Sequence, residues 1–219
     1  TILKSINYIR NLDIPIVGIN TGRLGFLATI QKEEIKDSLE TILQKNYSIS
    51  SRSVLNISTN PPSHDPVFKN IALNEIAVSR KNTTSMITVD TWLNDQYLNS
   101  YWADGLIVST PTGSTGYSLS CGGPVITPDA ASIIITPIAP HNLNARPLVI
   151  KDDTKITLRV SGREDSHLVS MDSRIATLEN DTEIIIEKAP YAINLVELNG
   201  DSFLQTLRKK LMWGEDKRN

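Results

Sequence analysis

The 219-residue chain holds a single cysteine, Cys121, so no intrachain disulfide can form and a reducing compartment suits it. Beside Gly122 that thiol reads as a small space-filler. No apolar run approaches the roughly twenty residues that cross a bilayer, and no charged-then-apolar leader pattern opens the sequence. Basic residues are not in excess: 22 Lys and Arg face 24 Asp and Glu, for a formal net charge of −2. That balance argues against a nucleic-acid partner, which needs clustered cations. The one basic cluster, Arg208-Lys209-Lys210, sits among Leu207, Leu211, Met212 and Trp213 and reads as the wet side of a terminal helix. The chain lacks G-x-x-x-x-G-K-[ST], which excludes a Walker loop, and lacks the G-x-S-x-G elbow of a serine hydrolase. His64 and His167 have no neighbours at ligand spacing, so no transition-metal site is expected. These absences describe a soluble cytoplasmic chain with neither a membrane nor a nucleic acid as partner.

What is present is an ordinary folding composition, 40% apolar and 21% charged. Leu3, Ile6, Ile9 and Leu12 recur at helical spacing, and "IPIVGIN" then reads as a strand buried on both faces of a parallel sheet. "TGRLGFLA" is a glycine-punctuated loop, and Ile35, Leu39, Ile42 and Leu43 return to helical period. From Tyr47 the texture is β. "SVLNIST" and "IALNEIAVSR" each read as a strand, and "MITVDTWLNDQYLNSYW" has the pattern of a hairpin turning at Asn94-Asp95. "SIIITPIAP", "PLVI", "TKITLRVSG", "HLVSMDS", "TEIIIEKA" and "AINLVEL" follow as short, closely spaced strands of a sandwich or closed sheet. "DSFLQTLRKKLMWG" is an amphipathic helix, capped by Asp201 or Ser202 and stopped by Gly214. The expected domains are residues 1–50 with 200–219, a partial α/β domain, and residues 51–199, a β-rich domain.

Chemistry concentrates in "TPTGSTGYSLSCGGP", Thr110 to Pro124, behind the apolar run Leu106-Ile107-Val108. A segment so poor in large side chains adds little to a core. Its glycines, Gly113 and Gly116, permit close approach of a ligand to the backbone, and Ser114 or Thr115 can cap a following helix. A turn of this kind exposes N–H groups to a polar or anionic ligand; an ordinary glycine-rich loop would look the same. Asn74 and Glu75 are adjacent, so on a strand they point to opposite faces. An amide beside a carboxylate can read adenine and hold a ribose hydroxyl, and so would a solvent-facing edge pair be written. Asp104 precedes a hydrophobic strand, where it can accept from a ligand or form a turn with Gly105. His141 and Arg146, in a proline-flanked loop, carry the same two readings.

"VGINTGRLGFLA", "NEIAVSR", "ADGLIVSTPTGSTGYSLSCGGPVITP" and "ITPIAPHNLNARPLVI" stand in an order and spacing that resemble bacterial NAD kinases over nearly the whole chain. The resemblance implies α/β plus all-β architecture: a remnant of a Rossmann-like N-terminal domain, a β-sandwich-like C-terminal domain, and a C-terminal helix returning to the first. It implies transfer of the γ-phosphoryl of ATP, or of inorganic polyphosphate, to the adenosine 2′-hydroxyl of NAD, with Mg²⁺ neutralising the phosphates. By similarity Asn74 and Glu75 hold the adenosine end, and Asp104 accepts from the nicotinamide carboxamide or its ribose. Thr115, Gly116, Tyr117, Ser118, Leu119 and Ser120 wall the dinucleotide, with Tyr117 stacking, while Phe26 and Ala139 line the pocket. The family's G-G-D-G-T signature and its proton-accepting aspartate belong just ahead of "TIL", so no catalytic residue is expected between Thr1 and Asn219, and this stretch alone is expected to be inactive. Four positions depart from a common bacterial pattern: Trp102 for an arginine, Ser85 for a histidine, Arg174 for a glutamine and Gly116 for an alanine. Arg174 is a further contact to the dinucleotide. A homodimer or homotetramer is implied. The rival readings are a diacylglycerol-type lipid kinase and a non-catalytic nucleotide-binding module.

Overall fold

A computed structural model describes residues 2–22, 25–82, 85–198 and 202–212. In chain order the elements are α1 (Ile2–Ile9), β1 (Ile19–Asn20), β2 (Ile30–Gln31), α2 (Ile35–Leu43) and β3 (Tyr47–Asn60). Then come β4 (Ile71–Ala72), β5 (Glu75–Ser79), β6 (Ile87–Leu93), β7 (Gln96–Ala103) and β8 (Gly105–Ser109). A 3-10 turn (Thr112–Thr115) and the one-turn helix α3 (Tyr117–Ser120) lead to β9 (Ser132–Ile138), β10 (Leu148–Lys151) and β11 (Ile156–Ser161). The chain ends with β12 (Ser166–Met171), β13 (Arg174–Glu179), β14 (Glu183–Leu198) and α4 (Phe203–Leu211). Two compact units divide the chain: residues 1–52 with 192–219, and residues 53–191.

The first unit is α/β. β1 and β2 pair in parallel, Ile19 opposite Ile30, and a parallel bridge joins Ile16 to Leu195. The expected burial of "IPIVGIN" on both faces is not found: Ile14, Val17 and Ile19 are exposed. Among the described residues the pair is only two residues long, too short to carry helical layers over both of its faces. Helix α1 buries Ile6 completely, but it stops at Ile9, and Arg10 turns left-handed at φ 44. Leu12, read as part of the same stripe, therefore falls outside the helix and is exposed. In α2 the period is helical as read, yet Leu43 is 82% exposed and Leu39 is exposed too. α4 begins at Ser202, whose hydroxyl accepts from the Gln205 N–H at 3.1 Å. Asp201 and Gly214, the other expected cap and stop, lie outside the described residues. Phe203 of α4 meets Phe26 at 6.0 Å between ring centres, so the C-terminal helix packs within the first unit.

The second unit is a sandwich. One sheet runs β10-β9-β8-β5-β12-β13, and the other runs β4-β3-β14-β11-β6-β7. Alternate residues of both sheets meet in one core: Ile76 and Val78, Leu106 and Val108, Ile133 and Ile135 from the first, and Val89, Leu158, Ile184 and Ile186 from the second. Strands β5 and β8 are buried almost throughout, so their other face is covered as well. Part of the cover is the segment after β8, where the Ser118 hydroxyl lies 2.8 Å from that of Thr136 on β9 with both buried. The hairpin turns as read, with Asn94 and Asp95 both left-handed at φ 48 and 65, as a two-residue type I′ loop requires.

Three strand readings need correction. "IALNEIAVSR" is not one strand: Ile71–Ala72 pairs with β3 in one sheet, whereas Glu75–Ser79 pairs with β8 and β12 in the other. The chain changes sheets across Leu73-Asn74, the kind of corner by which a sandwich passes a strand between its layers. "TEIIIEKA" and "AINLVEL" are instead one 16-residue strand, β14, which carries exposed Pro190 beyond the Glu183–Ile186 stretch paired with β11. β13, which contains Arg174, was not read as a strand at all; it pairs with β12 through a turn at Asp172-Ser173.

Candidate nucleotide site

The corner at Leu73–Glu75 and the turn after β8 are built against each other. Thr110 ties them. Its N–H donates to the Asn74 carbonyl at 2.9 Å, its hydroxyl donates to the Leu73 carbonyl at 2.6 Å, and the same hydroxyl accepts from the Gly113 N–H at 3.1 Å. Pro111 and Gly116 hold the N-cap positions of the 3-10 turn and of α3 without a side-chain bond, so the hydroxyl that reaches this turn's backbone from ahead is that of Thr110. Ser114, one of the two expected caps, is buried and exchanges hydrogen bonds with the backbone of Ile126, and Thr115 donates to the Thr112 carbonyl. The approach is so close that a Cβ at Gly113 would stand 2.0 Å from the Asn74 carbonyl oxygen. Only glycine fits there.

Asn74 and Glu75 do not point to opposite faces. Glu75 is on the strand and shares the non-core face with its ladder partner Ser109. Asn74 lies in the corner, where strand alternation no longer applies. Both side chains come up beside Gly116, whose Cβ would meet Glu75 Oε2 at 3.0 Å and Asn74 Nδ2 at 3.9 Å. The Tyr117 N–H, at the start of α3, donates to the Glu75 carboxyl. Two buried acceptors of this corner have no partner within the protein, Asn74 Oδ1 and Glu75 Oε2. Buried polar atoms are nearly always paired, so two together beside a wall lacking a side chain mark a place where a ligand's donors fit. Burial and the neighbouring Asp172 charge push the Glu75 carboxyl up from 4.5 to about 7, against the Tyr117 N–H, which lowers it.

Asp104 stands at the far end of the same strand pair, since Gly105 opposes Ser79 while Ser109 opposes Glu75. Those five residues span roughly 17 Å of strand. Its carboxylate is 3.0 Å from the Arg80 guanidinium and both groups are partly exposed. Half-exposed Tyr117 is within electrostatic reach of both ends: burial raises its phenol first, then the charges of Cys121, Asp104 and Glu75. Half-buried Cys121, which closes α3, is itself raised by burial.

The remaining expected residues fall in three places. Leu119 and Ser120 continue α3 beyond Tyr117, while Ser118 turns inward to Thr136. Ala139, exposed and left-handed at φ 44, follows β9 next to the residue that bonds Asp104, the Asp104 N–H donating to the Ile138 carbonyl. Phe26 belongs to the first unit, among Thr29, Arg52, Glu197, Phe203 and Thr206. Arg174 is drawn to Asp172, 3.7 Å away, and donates to the carbonyls of Ile71 and Met171. Trp102 packs against His141, the ring centres 4.3 Å apart and the planes tilted by 55°, and Arg146 donates to the backbone of its own loop, which gives both loop residues structural partners. Sequence reasoning missed Thr110 and Asp172. The Ser/Thr-rich run pointed at Thr110 weakly, and a polar two-residue turn between apolar runs was the only mark of Asp172. Among the described residues no three His, Cys, Asp or Glu side chains gather as a metal site.

The architecture is a β-sandwich, in which a strand corner faces a glycine turn, and an α/β unit. Residues 1–47 match the ATP-NAD kinase N-terminal domain and residues 73–198 the ATP-NAD kinase C-terminal domain. The chain is 83% identical over its whole length to the NAD kinase of Christiangramia forsetii and 61% identical to that of Flavobacterium johnsoniae, spanning 74% of each. It therefore belongs to the NAD kinase family. Yeast NADH kinase, solved in complex with NADH, has the same fold, with a TM-score of 0.88 at 24% identity over 99% of this chain and 64% of that one. An NAD kinase from Archaeoglobus fulgidus, solved with ATP, gives a TM-score of 0.73 at 29% identity over 90% of this chain and 72% of that one.

Proposed function

We propose that this protein transfers the γ-phosphoryl of ATP to the adenosine 2′-hydroxyl of NAD, giving NADP, and that the dinucleotide lies along the strip from the Asn74–Glu75 corner to Asp104. The observation that carries the placement is the pair of buried, unpartnered acceptors, Asn74 Oδ1 and Glu75 Oε2, beside Gly116. An adenine amine and ribose hydroxyls supply the donors these atoms want. A strip roughly 17 Å long suits an extended dinucleotide, with the Arg80-paired Asp104 at its far end to accept from a carboxamide or hydroxyl, and Tyr117 alongside for stacking. Phosphoryl transfer asks the protein chiefly to position the two substrates and screen their charge.

Proton acceptance from the 2′-hydroxyl is assigned to the aspartate of the family's glycine-rich signature. Among the described residues no three His, Cys, Asp or Glu side chains gather, and Mg²⁺ does not require three. That cation ordinarily binds one or two carboxylates together with substrate phosphates and water, so it would be carried mainly on ATP. Polyphosphate as donor, NADH as acceptor, a cytoplasmic location and assembly as a homodimer or homotetramer remain parts of the same proposal.

The test is NADP formation with ATP and Mg²⁺, read through a coupled NADPH assay, on the 219-residue chain and on the chain preceded by the relatives' glycine-rich segment. NADP from the extended chain supports the reading, and Asp104→Ala in it should weaken NAD binding at least about tenfold, the scale of one lost charged hydrogen bond. Phosphate appearing on a lipid favours the lipid-kinase reading. NAD binding without NADP in both forms favours a binding module.

A further inference from the structure

Asp172 is the residue on which the corner hangs. It occupies the β12–β13 turn at φ 53, with its side chain 1% exposed. Its carboxylate accepts from three consecutive backbone N–H groups: Leu73 at 3.1 Å, Asn74 at 2.8 Å and Glu75 at 3.3 Å. Its own N–H donates to the Glu75 carbonyl at 2.9 Å. Arg174 faces the same carboxylate while donating to the Ile71 carbonyl, just ahead of the corner. A chain passing between sheets loses its ladder partners, and buried N–H groups left unpaired are costly. An acceptor-only side chain with two oxygens answers three donors at once; an amide would turn an N–H₂ toward one of them.

We infer that Asp172 is a positioning residue of the nucleotide site: its carboxylate sets the Leu73–Glu75 corner so that Asn74 and Glu75 both face Gly116. The nucleotide part of this inference rests on the function proposed above. Asp172 stands as a second buried carboxylate beside Glu75, where like charges oppose each other, and its three N–H bonds offset that repulsion. The groups that bear on Glu75 are Asp172 from the β12–β13 turn, Arg174 through Asp172 from β13, and Tyr117, by N–H and phenol, from α3.

Asp172→Asn keeps the shape, loses one acceptor oxygen and removes the charge. In the extended, active chain it should raise KM for NAD about tenfold or more, the scale of a lost charged hydrogen bond, and leave KM for ATP unchanged. The Glu75 carboxyl, followed by NMR titration, should move down from about 7 toward the ordinary carboxylate range. An unchanged KM for NAD with a lowered melting temperature makes Asp172 an ordinary turn residue and overturns the inference. Should the variant not fold, amide exchange on the wild type decides. Slow exchange at Leu73, Asn74 and Glu75 without NAD supports a corner already set by Asp172; protection that appears only with NAD overturns it. A wild type that takes up no NAD sinks the proposed function, while the exchange rates and the Glu75 titration still judge Asp172.

Discussion

Two bends of the second unit solve the same problem by different means. The β6–β7 bend reverses at Asn94-Asp95, two residues that accept left-handed backbone, and the strands on either side pair at once. The Leu73–Glu75 bend has no such local device. Its Leu73 and Asn74 carbonyls go to Thr110, while its Glu75 carbonyl and its N–H groups go to Asp172, 97 to 99 residues away. The first bend takes its left-handed backbone from its own residues, with two hydrogen bonds to the Lys155 backbone added from outside, whereas the second is held in shape by its neighbours. A corner held from outside can hold side chains in unusual places, and there Asn74 and Glu75 keep unpartnered acceptors.

The comparison can be broken most severely at Gly113. Gly113→Ala drives a methyl into the Asn74 carbonyl, with backbone on both sides and no flexible end to give way. A loss of about 3 kcal/mol or more in urea unfolding is expected, together with loss of NAD affinity. A stability loss under 1 kcal/mol would mean that corner and turn move independently.

Glu75→Gln tests the cost of the corner. The folded Glu75 carboxyl titrates near 7 and the unfolded one near 4.5, so between those values the folded protein holds the extra proton and stability falls as pH rises. Below pH 4.5 the group contributes nothing, and above about 7 the penalty is complete. The glutamine does not titrate. Its stability relative to wild type should therefore improve across that window by on the order of 3 kcal/mol, seen as parallel denaturation curves that separate with pH. Curves that stay together across the window would show that Glu75 is not held near neutrality.

The smallest effect belongs to the β6–β7 bend. Asn94→Ala forces alanine into left-handed backbone and should cost about 1–2 kcal/mol, while NAD affinity stays as it was. A matching loss of affinity would mean the two bends are coupled.

These bends also explain what could be read from the sequence. Asn94-Asp95 was legible because its turn chemistry lies within four residues, although its bonds to Lys155 were not. Gly113 and Gly116 were legible because glycine announces close approach, although the partner in that approach, the Asn74 carbonyl, was not. Asn74 and Glu75 stood out as a pair, but their common direction depends on a sheet change inside "IALNEIAVSR", which reads as one strand. Asp172 had no local signal that could connect it to Leu73. In the first unit the helical periods of α1 and α2 were plain, yet period says nothing of what covers the apolar side, and Leu43 remains exposed.

The most direct measurement is calorimetric titration of NAD into the wild type and into Asn74→Ala. The substitution removes a buried acceptor that bonds nothing in the protein, so unfolding free energy should change by less than about 1 kcal/mol. NAD affinity should fall at least about tenfold, since the lost oxygen is one the adenosine end is proposed to satisfy. Equal affinity in the two proteins would contradict the placement of the dinucleotide at this corner.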